Sequence, residues 1–119
     1  MPSERTAQFF KDIVDNIERI ERYTKSIDQD GLYADPMRLD AVERCFQRLT
    51  EAAIRLRDDA ETLAPDVPWK NIRAFGNHLR HGYDRLQPLS MWRTITDDLP
   101  PLKAACVSAL KKLPPLEDD

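Results

Sequence analysis

Two stretches of this chain repeat apolar residues at alternating steps of four and three, and that spacing constrains the fold more than any other feature. The first holds Ile13, Ile17, Ile20, Thr24 and Ile27; the second holds Val42, Phe46, Leu49, Ala53 and Leu56. At 3.6 residues per turn such positions share one helix face, whereas a strand would need alternation by two, which no stretch sustains. The fold class expected is therefore all-α. Punctuation supplies the boundaries. The first helix should begin near Arg5 behind Ser3 as a cap, and Gly31 should close that segment. Asp35-Pro36 has the order of a cap followed by proline at the first helical position, so a second helix opens there and runs to about Arg57, with a weaker continuation towards Leu63. Pro68 launches a third helix through Trp69 to about His81, and Gly82 supplies its stop. A short fourth helix is expected over Leu89–Leu99. Pro100-Pro101 should break or kink it before a last helix over Leu102–Leu113. Together these predict an antiparallel bundle of four or five helices, one domain over 1–113, followed by a flexible acidic tail over 114–119.

Composition agrees with long helices that are wet on one side: 33% of the 119 residues are charged, 41% are hydrophobic, and only three are glycine. No apolar run approaches the roughly 20 residues that cross a bilayer, and the amino terminus lacks a secretory signal, so a cytoplasmic protein without membrane contact is expected. Cys45 and Cys106 fall on apolar stripes with no histidine near them in sequence, which reads as buried structural thiols. With two histidines, two distant cysteines and no phosphate-cradling glycine loop, neither a metal site nor a cofactor is expected. The paired acids Asp58-Asp59 and Asp97-Asp98 are neighbours that diverge on a helix and read as solvated.

The net charge of −3 argues against broad nucleic-acid binding but hides an asymmetry. Between Trp69 and Arg85 the chain carries Lys70, Arg73, Arg80 and Arg85 against the single acid Asp84, together with both histidines, His78 and His81. On a helical wheel Trp69, Ile72, Phe75, Gly76 and Leu79 gather in an arc of about 120°, and Lys70, Arg73, Asn77, Arg80 and His81 in another of about 100°. One face should pack and the other present cations. Cleaving RNA without a metal needs a group exchanging protons near neutral pH and donors that neutralise the phosphate; histidine with arginine or asparagine fits. The alternative is a solvated helix face with His81 near its carboxyl end, where a cationic imidazole is favoured.

The run from Pro68-Trp69 through Ile72 and Asn77 to His81-Gly82-Tyr83 resembles the signature of the HepT-like family of the HEPN superfamily, also known as domain of unknown function 86, whose core is Arg-x4-His-x-Tyr. Similarity extends to Ile17-Glu18-Arg19-Ile20, Asp35-Pro36-Met37, Asp40-Ala41-Val42 and Trp92-Arg93-Thr94-Ile95, and so covers nearly the whole chain. The resemblance implies a HEPN-type helical homodimer that cuts RNA, without metal, at a cleft shared by two protomers. It also implies the toxin role in a type VII-like pair with an MNT-type nucleotidyltransferase antitoxin. Carried over by position, His81 is the catalytic histidine, Asn77 the motif asparagine, and Tyr83 the tyrosine that the antitoxin modifies with AMP. The motif arginine falls on Gly76. Arg73, one turn before Asn77 on the same face, is the candidate to replace it, with Arg80 and Lys70 as further phosphate-binding groups. An offset match, Arg73-x4-His78, puts His78 about 60° from His81 on the wheel and loses the tyrosine relation. If nothing replaces the arginine, the expectation becomes a catalytically degenerate dimer that binds a nucleotidyltransferase or RNA without cutting.

Overall fold

The computed structural model describes residues 4–80 and 88–116. Four helices carry the architecture: α1 (Glu4–Thr24), α3 (Pro36–Leu56), α5 (Trp69–Arg80) and α7 (Leu99–Lys111). Between them lie the short helices α2 (Gln29–Tyr33), α4 (Asp58–Leu63) and α6 (Pro88–Arg93), and a π-helical turn over Thr94–Asp98. Side-chain ties fix the directions. Thr6 Oγ1 donates to Asp59 Oδ2 at 2.8 Å, which brings the start of α1 to the end of α3. Lys103 Nζ meets Glu21 Oε1 at 2.9 Å and Glu18 Oε2 at 3.4 Å, which brings the start of α7 to the end of α1. The bundle thus runs up, down, up and down along α1, α3, α5 and α7.

The stripes predicted from spacing form the core. Ile13, Ile17 and Ile20 of α1 and Val42, Phe46, Leu49, Ala53 and Leu56 of α3 are all buried, and one contiguous cluster of apolar side chains joins them to Cys106 and Ala109 of α7. Both thiols are buried and free, and loss of solvent pushes that of Cys106 up to about 12.

Punctuation held at some boundaries and not at others. Asp35 caps α3 through the Arg38 N–H at 3.1 Å, with Pro36 in the first turn. Gly31 does not close a segment: it lies inside α2, where its N–H donates to Asp28 Oδ1 at 2.8 Å and Asp28 acts as the cap. The predicted fourth helix and the Pro100-Pro101 break take a different form. Both prolines sit in the first turn of α7, which starts at Leu99, and the chain passes into it from α6 without leaving the helix. Proline has no N–H and its ring crowds the carbonyl one turn back. The π turn answers that upstream, with the Leu99 N–H reaching Thr94 O and the Thr96 hydroxyl donating to Trp92 O at 3.1 Å. The boundary expected at Gly82 lies outside the described residues. Among those described, no helix is long and apolar enough to cross a membrane.

Candidate functional site

The site is built on α5, and Trp69 holds that helix in place. It is 1% exposed, its indole N–H donates to Ala64 O at 2.9 Å, and its ring meets Phe10 edge-on at 6.3 Å. A tryptophan so placed buries a large apolar area and also satisfies its polar atom, so it anchors the start of α5 at the base of the bundle. Further along, Phe75 stacks on Phe46 of α3 with ring centroids 5.3 Å apart. Between α5 and α7 the bundle is incompletely closed, leaving a cavity of 390 Å³ floored by Phe46, Leu49, Ile72 and Leu102, with the exposed Asp66 and Asp98 among its lining.

The predicted division of α5 into two faces is observed. Gly76 is buried, Ile72, Phe75 and Leu79 are half-buried, and Lys70, Ala74, Asn77 and His78 are exposed. Arg80 ends the helix. His81 and Tyr83, the two positions to which the signature assigns most of its chemistry, lie outside the described residues.

Arg73 stands apart from the other polar residues. It lies in the half of the polar arc nearer α3, and its guanidinium folds back onto the end of that helix. Nε donates to Ala53 O at 3.2 Å, Nη2 to Arg57 O at 2.9 Å, and Nη1 to Glu61 Oε2 at 2.7 Å, while the guanidinium carbon lies 6.0 Å from the Trp69 ring centroid. The last carbonyls of a helix have no intrahelical donor. Here the chain departs from helical geometry at Arg57, the one described non-glycine residue with positive φ, at 51°, and its N–H turns to Ile54 O. Arg73 supplies donors where the helix has run out of them and brings a positive charge to the negative end of its dipole. The guanidinium beside Glu61 holds that carboxyl below its ordinary range, chiefly through the side-chain hydrogen bond. The structure therefore places Arg73 one turn from Asn77 in the backbone, but turns its charged end away, into a clamp between α3, α4 and α5.

Gly76 has an equally local explanation. A Cβ built there would lie 2.6 Å from Thr50 Cβ and 2.7 Å from its Oγ1, inside any real carbon contact. The Thr50 hydroxyl is itself pinned, donating to Phe46 O at 2.8 Å, and Thr50 Cβ is fixed by the backbone of α3. Gly76 thus marks a close approach of α5 to α3, and the position where the signature carries arginine points into packed helix. Neither Thr50 nor Glu61 was singled out from the sequence. Each meets α5 across a long chain separation, and spacing along one helix says nothing about which residue of another it will touch.

Comparison with known proteins now settles the affiliation. The family model described as Ribonuclease HepT-like matches residues 13–109, a span that takes in α5 and most of the bundle. This chain belongs to the HepT-like ribonuclease family. It is 30% identical over 95 residues to "Probable ribonuclease HepT" of Thermococcus cleftensis, covering 80% of this chain and 86% of that one. Two candidate RNases of Methanocaldococcus jannaschii are similar: one is 28% identical over 80% of this chain and 87% of its own, the other 26% identical over 95% and 97%. No solved structure matches the chain. Membership in the HepT-like family agrees with the all-α bundle and the Pro-Trp start of α5. The Gly76–Thr50 approach and the Arg73 clamp are how this member fills the positions around its motif.

Proposed function

We propose that this chain is the ribonuclease toxin of a toxin–antitoxin pair, acting as a homodimer that cleaves RNA without a metal. The observation that carries the reading is the placement of α5 within a HepT-like fold: one face is buried in the bundle, and the other presents Lys70 and Asn77 to solvent on the helix that leads to His81. In the reaction that fits these groups, His81 takes the proton from a ribose 2′-hydroxyl. The freed oxygen bonds to the adjacent phosphorus, the bond from phosphorus to the 5′-oxygen breaks, and that oxygen receives a proton in turn. Asn77, Lys70 and Arg80 hold the phosphate as charge develops, and a second protomer doubles these donors across a two-fold axis. Arg73 joins them only by exchanging Glu61 and two backbone carbonyls for the phosphate, so a partner-chain cation is the better substitute for the missing motif arginine.

The packing of Gly76 against Thr50 favours a second reading, a degenerate dimer that binds a nucleotidyltransferase antitoxin or RNA without cutting. One assay separates them: incubation of a structured RNA with the purified protein in excess chelator. The toxin reading expects cleavage, reduced by about 10² or more in His81→Ala; RNA left intact by the wild type would support the degenerate reading. Pairing with the antitoxin is tested at Tyr83. Co-expression with the cognate nucleotidyltransferase should add the mass of AMP to the chain, and Tyr83→Phe should remove that addition.

A further inference from the structure

On the side of α3 away from α5, the groove between α1 and α3 encloses 660 Å³. Arg44, Arg48 and Arg55 of α3 line it, are exposed, and share an arc of about 40° on that helix. Two acids also line it: Glu51 accepts from Arg55 Nε at 3.1 Å, and Asp12 accepts from the neutral Gln8 at 2.8 Å and keeps its charge, so the lining holds three cations against two acids. Arg44 is hydrogen-bonded at 3.1 Å only to the neutral Gln47, so its charge is not cancelled there. The wall contributed by α1 contains Asn16, which is 7% exposed. Its amide nitrogen donates to Asp12 O at 2.8 Å, but its Oδ1 is buried with no hydrogen-bond donor among the described residues. A buried acceptor left in this state costs free energy, and the Asn16 side chain must turn toward the groove before a donor there can reach its Oδ1. Phe9, half-buried, adds to the same wall an aromatic ring with the Arg5 guanidinium over it, 5.6 Å from the centroid.

A simple anion would satisfy the arginines and leave Asn16 unanswered. A nucleotide unit answers all three features, with a phosphate for the guanidinium forks, a ribose hydroxyl or base amine for Asn16 Oδ1, and a base for the ring of Phe9. We propose that the α1–α3 groove is a second RNA-binding surface, which takes single-stranded RNA by Arg44, Arg48 and Asn16 and is separate from the motif on α5. The proposal rests on the ribonuclease reading for its choice of RNA over an acidic protein. It extends that reading, because Phe46, Thr50 and Ala53, which face α5, lie on the opposite side of α3 from the arginines. The sequence hides this surface: the arginines are spread over twelve positions among acids, and only the helix and its neighbour gather them.

The test measures binding apart from cleavage. A fluorescent single-stranded RNA of mixed sequence is titrated with the full-length His81→Ala protein in chelator, with RNA integrity checked on a gel. Arg44→Gln with Arg48→Gln should weaken binding by about tenfold or more and make the dependence of log affinity on log salt shallower by about 1.4, the contribution of two phosphate contacts on a single strand. Asn16→Leu should weaken binding while leaving thermal stability equal or higher, since it removes an unsatisfied buried acceptor; a merely structural asparagine would alter stability alone. Unchanged affinity and salt slope in the arginine variant would overturn the proposal, as would a parent protein that binds no RNA. If the parent binds through these residues but the wild type cuts nothing, the groove stands and the ribonuclease reading fails. If the wild type cuts RNA and the arginine variant binds as before, the reverse holds.

Discussion

At position 76 the absence of a side chain is a packing requirement. Gly76→Ala should cost roughly 1–3 kcal/mol, the usual range for overpacking a well-filled contact, because its new carbon falls 2.6 Å from Thr50 Cβ. Thermal or urea unfolding reads the loss. Thr50→Ala in the same chain should recover only part of it, since the clashing Cβ remains, and a non-additive double-mutant cycle would show that the two residues touch. A wild-type melting point in Gly76→Ala would mean α5 stands further from α3 than described. Arg73 yields a pH prediction. The folded-state pKa of Glu61 is depressed, so the ion pair contributes stability above the unfolded carboxylate value of about 4.3 and loses that contribution as pH falls through the lower folded value. Glu61 is about half exposed, at 48%, which holds the acid-sensitive part below about 1 kcal/mol. Arg73→Gln should return the Glu61 titration, followed by NMR, to the ordinary carboxylate range. It should also lower stability at neutral pH by more than the ion pair alone, through weakened bonding to Ala53 O and Arg57 O.

Between elements, the junction of α3 and α4 stores strain that α5 helps to hold. Arg57 sits at φ 51° and ψ −137°, a conformation that suits glycine rather than a residue with a Cβ. Its carbonyl is also one of those bound by Arg73. Arg57→Gly should therefore be neutral or stabilising by up to about 1 kcal/mol, the reverse of what glycine does in a helix interior. A clear fall in the unfolding midpoint would show that the junction adopts another geometry in solution. The π turn at Thr94–Asp98 is the same kind of accommodation, made by widening the helix ahead of Pro100 and Pro101. Sequence punctuation located both irregularities within a few residues, but the form of each depends on the neighbours the chain must still reach.

At the scale of the molecule, two measurements bear on how the bundle is closed. Cys45 and Cys106 are 1% and 0% exposed, and burial raises both thiols. Native protein should therefore resist a thiol reagent at pH 8 and react at both cysteines only once unfolded in denaturant. Rapid labelling without denaturant would mean that the α1–α3–α7 core opens readily. Light scattering at micromolar concentration should give the mass of two chains if the site is completed across a two-fold axis; the mass of one chain would remove the shared cleft from the mechanism.

What the sequence determined by itself is the part governed by periodicity along single helices: the all-α class, the core stripes of α1 and α3, the Asp35-Pro36 start, and the division of α5 into a packed and a polar face. Those follow from 100° per residue and from the chemistry of caps, which are local. The resemblance of its signature added the family. Tertiary structure alone decided what each polar residue does on its face. Arg73 and Asn77 share a face by spacing, yet one guanidinium is bound to the end of α3 while the amide is exposed, because α3 ends beside the first and not the second. Gly76 reads in sequence as a missing arginine and in space as the contact with Thr50. Contacts between helices are set by where their ends and small residues meet, and no pattern within one helix contains that information.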